Sequence, residues 1–209
     1  MYLFTRRVVV HPAHIRAGMA HALDLLNYVN EKTELQVSLF QVLQGAPLGT
    51  LTFAYRTESF AASVEANDAL IRSDEYLAKI ESGAAYFVGN AEDGLGTFIH
   101  SVGEVSAPPA AAAVVSARLE VDQTRKGIAW AVELSDYLTN ATGVPSAVLT
   151  SNYGEYGTVS WLSYGESLKQ LEDANTKTSA DPGFLQRLEE SAGFFVRGSG
   201  IGVLSRKIG

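Results

Sequence analysis

The sequence predicts an α+β fold made of two tandem copies of one βαββαβ module, closing together into a single α+β barrel. Three observations predict it. One self-similarity runs at nearly constant spacing through most of the chain. The hydrophobic period switches between that of a strand and that of a helix in the order strand, helix, strand, strand, helix, strand. A stretch of proline and small residues separates the two copies.

The repeat is legible residue by residue. Gly49-Thr50-Leu51-Thr52-Phe53, Glu58-Ser59-Phe60, Asn67, Tyr76-Leu77, Ala84 and Tyr86-Phe87-Val88 form one series. At a fixed offset they match Gly157-Thr158-Val159-Ser160-Trp161, Glu166-Ser167-Leu168, Asn175, Phe184-Leu185, Ala192 and Phe194-Phe195-Val196. Upstream the offset grows by one residue, and Gly18-Met19, Ala22, Leu25 and Tyr28 match Gly127-Ile128, Ala131, Leu134 and Tyr137. Ser106-Ala107-Pro108-Pro109 and the alanines after it read as a stiff connector. This places a first module at residues 1–106, a linker at 107–113 and a second module at 114–209.

Within the first copy, Val8 and Val10 alternate as in a strand, and Pro12 opens a helix at a position where its missing N–H costs nothing. Met19, Ala22, Leu26 and Val29 then recur at helical spacing and give one apolar stripe. Leu35 to Leu43 and Thr50 to Arg56 read as a hairpin, as do Ser146 to Asn152 and Thr158 to Tyr164 in the second copy. A second helix is expected from near Glu58, and from near Glu166, where Ser163-x-x-Glu166 resembles a capping box. A short helix around Tyr76 to Ile80, matched by Phe184 to Leu188, precedes a last strand at Tyr86-Phe87-Val88 and at Phe194-Phe195-Val196. The glycines of Gly198-Ser-Gly200-Ile-Gly202 are placed after that strand, as a bulge or turn. Such a βαββαβ module is ferredoxin-like, with helices on one sheet face, so the other face needs a cover and the second copy can supply it.

Composition narrows the function. The 209 residues include no cysteine, which removes disulfides, thiolate metal sites and cysteine nucleophiles, and which fits a reducing cytoplasm. A formal charge of −7 opposes nucleic acid and anionic membrane surfaces, so neither is expected as a partner. The amino terminus reads as a strand rather than a signal peptide, and no run is apolar over the length a membrane helix needs. A soluble, cytoplasmic protein is the expectation.

The second copy contains Gly157-Thr-Val-Ser-Trp161-Leu-Ser-Tyr164, Glu166-Ser167 and Asp181-Pro182-Gly183-Phe184-Leu185. Through these residues it resembles the NIPSNAP family and its relatives among the dimeric α+β barrel proteins. The first copy keeps only the pattern, with Ser73-Asp74-Glu75-Tyr76-Leu77 in the last place. The resemblance implies two ferredoxin-like units joined into a barrel whose interior can hold a ligand or an active site. Related barrels include cofactor-free monooxygenases, lyases, isomerases, haem enzymes and proteins without known activity, so fold alone does not choose a reaction.

The strand period suggests where chemistry could sit. Val8, Val10, Leu51, Phe53 and Tyr55, with Ala117, Leu119, Val159, Trp161 and Ser163, form the helix-facing set. The opposite face then carries Arg7, His11, Thr52 and Arg56 in one copy, and Arg118, Glu120, Ser160 and Tyr164 in the other. His11, Arg118 and Glu120 are the candidate catalytic groups: the imidazole to move a proton near neutral pH, the guanidinium to hold an anionic or enolate-like group, the carboxylate as its counterpart. Arg7, Arg56, Thr52, Ser160 and Tyr164 are the candidate ligand-binding groups. The opposing reading is a sealed polar network that joins the sheets. His11-Pro12-Ala13-His14 with His21 invites a metal, but the second copy has Glu120 and Gln123 in the places of His11 and His14, and neither metal nor cofactor is expected. Asn67 and Asn175 read as packing or capping residues.

Two functions follow. One is a small-molecule binding protein, or a cofactor-independent enzyme, that takes a partly apolar ligand inside the barrel, an anion among the candidates. The other is a structural protein whose duplicated module self-associates around a filled barrel. Either way a homo-oligomer is expected.

Overall fold

The computed structural model describes residues 1–105 and 108–209. Two compact units emerge: residues 1–95 with 207–209, and residues 96–206. The boundary read from sequence falls on Ser106 and Ala107, which lie outside the described residues.

The first unit holds β1 (Tyr2–Val10), a 3-10 turn (Pro12–His14), α1 (Ile15–Lys32), β2 (Ser38–Gln44), β3 (Thr50–Thr57), α2 (Phe60–Ile71) and α3 (Asp74–Gly83). It also takes the leading part of β4 (Phe87–Val102). β3 lies between β1 and β2, antiparallel to both, with Arg7 opposite Thr52 and Leu39 opposite Phe53. The face assignment from period two is correct. Val10, Leu51 and Tyr55 pack with Ala22 and Leu26 of α1, and Phe4, Val8 and Phe53 join them. α1 can lie this close because Gly18 has no side chain, and a Cβ there would stand 2.4 Å from Val10 Cγ1.

The second unit repeats the plan with β5 (Ala111–Arg118), a 3-10 turn (Val121–Gln123), α4 (Thr124–Thr142), β6 (Ser146–Tyr153), β7 (Thr158–Gly165), α5 (Leu168–Ser179), α6 (Pro182–Glu190) and most of β8 (Ile201–Lys207). Here β7 lies between β5 and β6, and β8 pairs with the other edge of β5. The duplication extends to single hydrogen bonds. Val10 N donates to Gly49 O as Leu119 N donates to Gly157 O, and His11 N donates to Tyr86 O as Glu120 N donates to Phe194 O. Gly127 repeats the close approach of Gly18, its would-be Cβ 2.3 Å from Leu119 Cδ2.

Three local expectations need correction. Ser163 is a strand residue of β7, and the helix it was to cap starts at Leu168 behind Ser167. Ser167 Oγ accepts from Gln170 N at 3.2 Å while Gln170 Oε1 accepts from Glu166 N at 2.8 Å, so the reciprocal cap sits four residues later than Ser163 implied. The Gly198 cluster precedes the last strand of the second copy instead of following it; Phe195 contributes one bridge to Leu119, and the strand proper begins at Ile201. Ala111–Ala113, assigned to the connector, begin β5, because their small side chains let Leu168, Leu171 and Ala174 of α5 pack directly on the strand.

Candidate functional site

A concavity lies in the first unit, between the helix-facing side of its sheet and helices α1, α2 and α3. It is a cavity of about 310 Å³ with mostly apolar walls, to which Phe4, Val8, Phe53, Leu25, Leu26 and Leu70 contribute. That size is at the lower end of what small-molecule sites use. Five lining residues carry polar atoms: Arg6, His21, Tyr55, Asn67 and Tyr76.

Arg6 follows the alternation of β1, on the same face as Phe4, Val8 and Val10. Its Nε and Nη2 donate to Asp93 Oδ1 and Oδ2, each at 2.7 Å, a bidentate pair with the leading part of β4. The hydrogen bonds to Asp93 push the guanidinium pKa further above its ordinary value, and its carbon stands 5.7 Å from the centre of the Phe4 ring. Tyr55 is buried and hydrogen-bonded to Ser63 of α2. Burial is the main reason its phenol pKa is raised, so it stays neutral. The side chain of Asn67, on the same helix, makes no hydrogen bond to a described residue and is half-buried at the cavity wall.

His21 projects from α1. Its Nε2 is buried without a hydrogen-bond partner among the described residues. It rests against Gly83, where a Cβ would lie 2.0 Å from that nitrogen. The rings of Tyr86 and Phe87 flank the imidazole at 5.8 and 6.1 Å. Burial lowers its pKa, with Asp24 acting to raise it and Lys79 to lower it further. The imidazole is therefore neutral at neutral pH.

None of the eight residues chosen from sequence lines this cavity. Arg7 donates to Glu92 from the opposite face of β1 and is half exposed. Thr52 faces it across the strand pair and Arg56 lies further along the same face of β3, exposed. His11 is exposed at the end of β1, where its Nδ1 accepts from Ala13 N at 3.1 Å and caps the 3-10 turn. In the second unit Arg118 Nη1 meets Glu155 Oε1 at 3.2 Å, and Ser160 Oγ lies 2.7 Å from Ser116 Oγ. Tyr164 is buried on β7, and the half-buried Glu120 anchors the start of the turn before α4 through its backbone. The register sets Arg56 opposite Leu3 and Tyr164 opposite Ala112, whereas His11 and Glu120 follow the far ends of β1 and β5, so neither set of four meets at one point. His11 and His14 stand ring to ring at 5.5 Å, and among the described residues no set of three His, Asp or Glu side chains forms a metal site.

What the sequence reading missed is the other face, and a signal was present. Arg6 is two residues from Val8 in an otherwise apolar row, and a cation in such a row requires a partner or a polar space. The space over the second unit's helix-facing sheet is occupied differently. Trp130 takes the place of His21, and Trp161 that of Phe53, with ring centres 5.8 Å apart and Phe195 within 5.7 Å of both. Both indoles are anchored, Trp130 Nε1 to Arg187 O and Trp161 Nε1 to Ala131 O, each at 3.0 Å.

No family model and no curated protein matches the chain. Solved structures do. A Fusobacterium nucleatum protein provisionally named a monooxygenase is similar over 100% of this chain and 92% of its own, at 8% identity and a TM-score of 0.73. An anthrone oxidase-like protein is similar over 100% and 92%, at 9% identity and a TM-score of 0.68. A NIPSNAP domain protein from Burkholderia xenovorans is similar over 46% of this chain and 91% of its own, at 9% identity and a TM-score of 0.40. At such identities the full-length likenesses show the fold alone, that of the dimeric α+β barrel class with two ferredoxin-like modules in one chain.

Proposed function

We propose that the chain is a small-molecule binding protein or a cofactor-independent enzyme, with the first unit as its binding half and the second as its packed, structural half. The observation that carries this is the cavity over the first sheet, mostly apolar with a few polar side chains in its lining, where the second copy of the same module has two anchored tryptophans. A module that fills this space with indoles shows that the fold can close it. The first copy leaves it open and lines it with Arg6, His21 and Asn67.

The ligand that suits the walls is compact and largely aromatic, held by dispersion and apolar burial and oriented by one hydrogen-bonding group. The enzymatic form of the proposal rests on His21, a neutral imidazole in the cavity wall. It takes from the names of the solved structures of like fold the reaction class to screen, oxygenation. Self-association and a cytoplasmic location belong to the proposal as well. Among the described residues no helix is long and apolar enough to cross a membrane.

The test uses 2-naphthol, an uncharged aromatic phenol with its own fluorescence. Titration should give one site per chain with a Kd below about 1 mM. Phe53→Trp, which copies the filled second unit, should weaken binding at least about tenfold. Oxygen consumption in the same samples reads the enzymatic form, and native mass spectrometry reads retained ligand and assembly. Weak, non-saturating binding that Phe53→Trp leaves unchanged would remove the cavity as the site.

A further inference from the structure

We infer that the Arg6–Asp93 ion pair makes the cavity selective for uncharged ligands: it accepts an aromatic skeleton bearing a neutral hydroxyl or carbonyl and rejects the carboxylate of the same skeleton. This rests on the binding role proposed for the cavity and adds the charge of what enters it.

Arg6 is the one Lys, Arg, Asp or Glu among the cavity's lining residues. A lone guanidinium in an apolar wall would recruit an anion. Asp93 already occupies it. Both carboxylate oxygens are engaged, at 2.7 Å each, with two of the three guanidinium nitrogens. The pair sums to zero charge, and no second cation lines the cavity to take its place. Lys79 is spent on Asp24 at 2.6 Å, and His21 is held neutral by its burial. A ligand carboxylate would thus lose its water, meet no free cation and stand near the Asp93 carboxylate, a cost several-fold larger than that of burying a hydroxyl.

Neutral hydrogen-bonding capacity remains. Arg6 Nη1 and the Asn67 amide make no hydrogen bond to a described residue. Together they offer donors to a carbonyl or hydroxyl oxygen, and Asn67 Oδ1 can accept from a hydroxyl. Asp93 acts on specificity through Arg6; it is a positioning residue whose charge, more than its shape, decides which ligand is taken.

The experiment compares 2-naphthol with 2-naphthoate at pH 7, where the phenol is neutral and the carboxyl ionised. In the wild-type protein 2-naphthol should bind at least about tenfold more tightly. Asp93→Asn keeps the shape and removes the negative charge, so naphthoate affinity should rise about tenfold while naphthol affinity stays within about threefold. Asp93→Glu, which keeps the charge, should preserve the wild-type order, and thermal melts confirm that each variant is folded. Equal or tighter binding of naphthoate by the wild-type protein overturns the inference, as does an Asp93→Asn variant that is folded yet unchanged in preference. Binding of neither compound removes the cavity as a ligand site, and the inference with it; binding of both without the predicted order removes the inference alone.

Discussion

The two units share a βαββαβ plan down to individual backbone bonds, yet one is packed with indoles where the other is hollow. In the second unit Trp130, Trp161, Phe194 and Phe195 meet edge to face over β5 and β7. In the first unit the corresponding residues are His21, Phe53, Tyr86 and Phe87, with His21 and Phe53 smaller than the tryptophans they match, and a cavity of about 310 Å³ is lined by His21, Phe53 and Phe87. The difference teaches that a duplicated fold can divide labour without changing topology. On the proposed function, stability is concentrated where the space is filled and binding capacity where it is not.

The largest expected effect tests the packed side. Trp161 is 9% exposed and hydrogen-bonded to the α4 backbone, so Trp161→Ala should cost ~3–5 kcal/mol in chemical denaturation. Phe53→Ala at the equivalent position should cost only about 2 kcal/mol or less, because one side of that ring already faces empty space. Equal costs would mean that the cavity is closed in solution and the contrast between the units is false.

The next effect concerns His21. A methyl group at Gly83 would lie 2.0 Å from His21 Nε2, so Gly83→Ala should destabilise by about 1–3 kcal/mol through overpacking. His21→Ala in the same protein should recover most of that loss, the non-additivity expected of two groups in contact. The second unit has Ser191 in the place of Gly83, which is consistent with Trp130 being held differently, at Arg187 O.

The duplication, both hairpins, the order of elements and the helix-facing rows of the first and third strands of each copy were legible, because glycines at close approaches and apolar residues at period two leave a direct mark. The long strand β4 was not. Gly89, Gly94 and Gly96, with charged residues between them, erase any alternation, so the pairing of Asp93 with Arg6 could not be read. The site was missed for a different reason. Periodicity reports which way side chains point, and the gap left between them depends on their volumes and on how far α2 and α3 stand from the sheet. Comparing Phe53 with Trp161, and His21 with Trp130, was the one sequence signal that bore on volume. Asn67 looked like a packing residue because its counterpart Asn175 gave the same signal in the packed copy.

The smallest expected effect is one of pH, and it too separates the units. The His21 pKa is lowered in the folded chain, mainly by burial, whereas in the unfolded chain it should titrate near about 6.5. Between those two values the unfolded state binds more protons, so stability rises with pH across that window. The contribution is fully present above the unfolded value and is lost as pH falls toward the folded one. Asp24 opposes the loss and Lys79 adds to it, which keeps the effect small. Urea midpoints measured from about pH 7.5 down to about pH 5.5 should fall for the wild-type protein and fall less for His21→Phe. Asp181, whose pKa is depressed chiefly by Tyr137, loses its contribution only as pH drops through the lower carboxylate range, so the two windows are distinct. Trp130 stands where His21 would be in the second unit and has no proton to gain, so Trp130→Phe should lower the midpoint without changing its slope against pH. A slope that survives His21→Phe intact would place the buried, unpaired imidazole elsewhere and break the last link between the hollow unit and a neutral site.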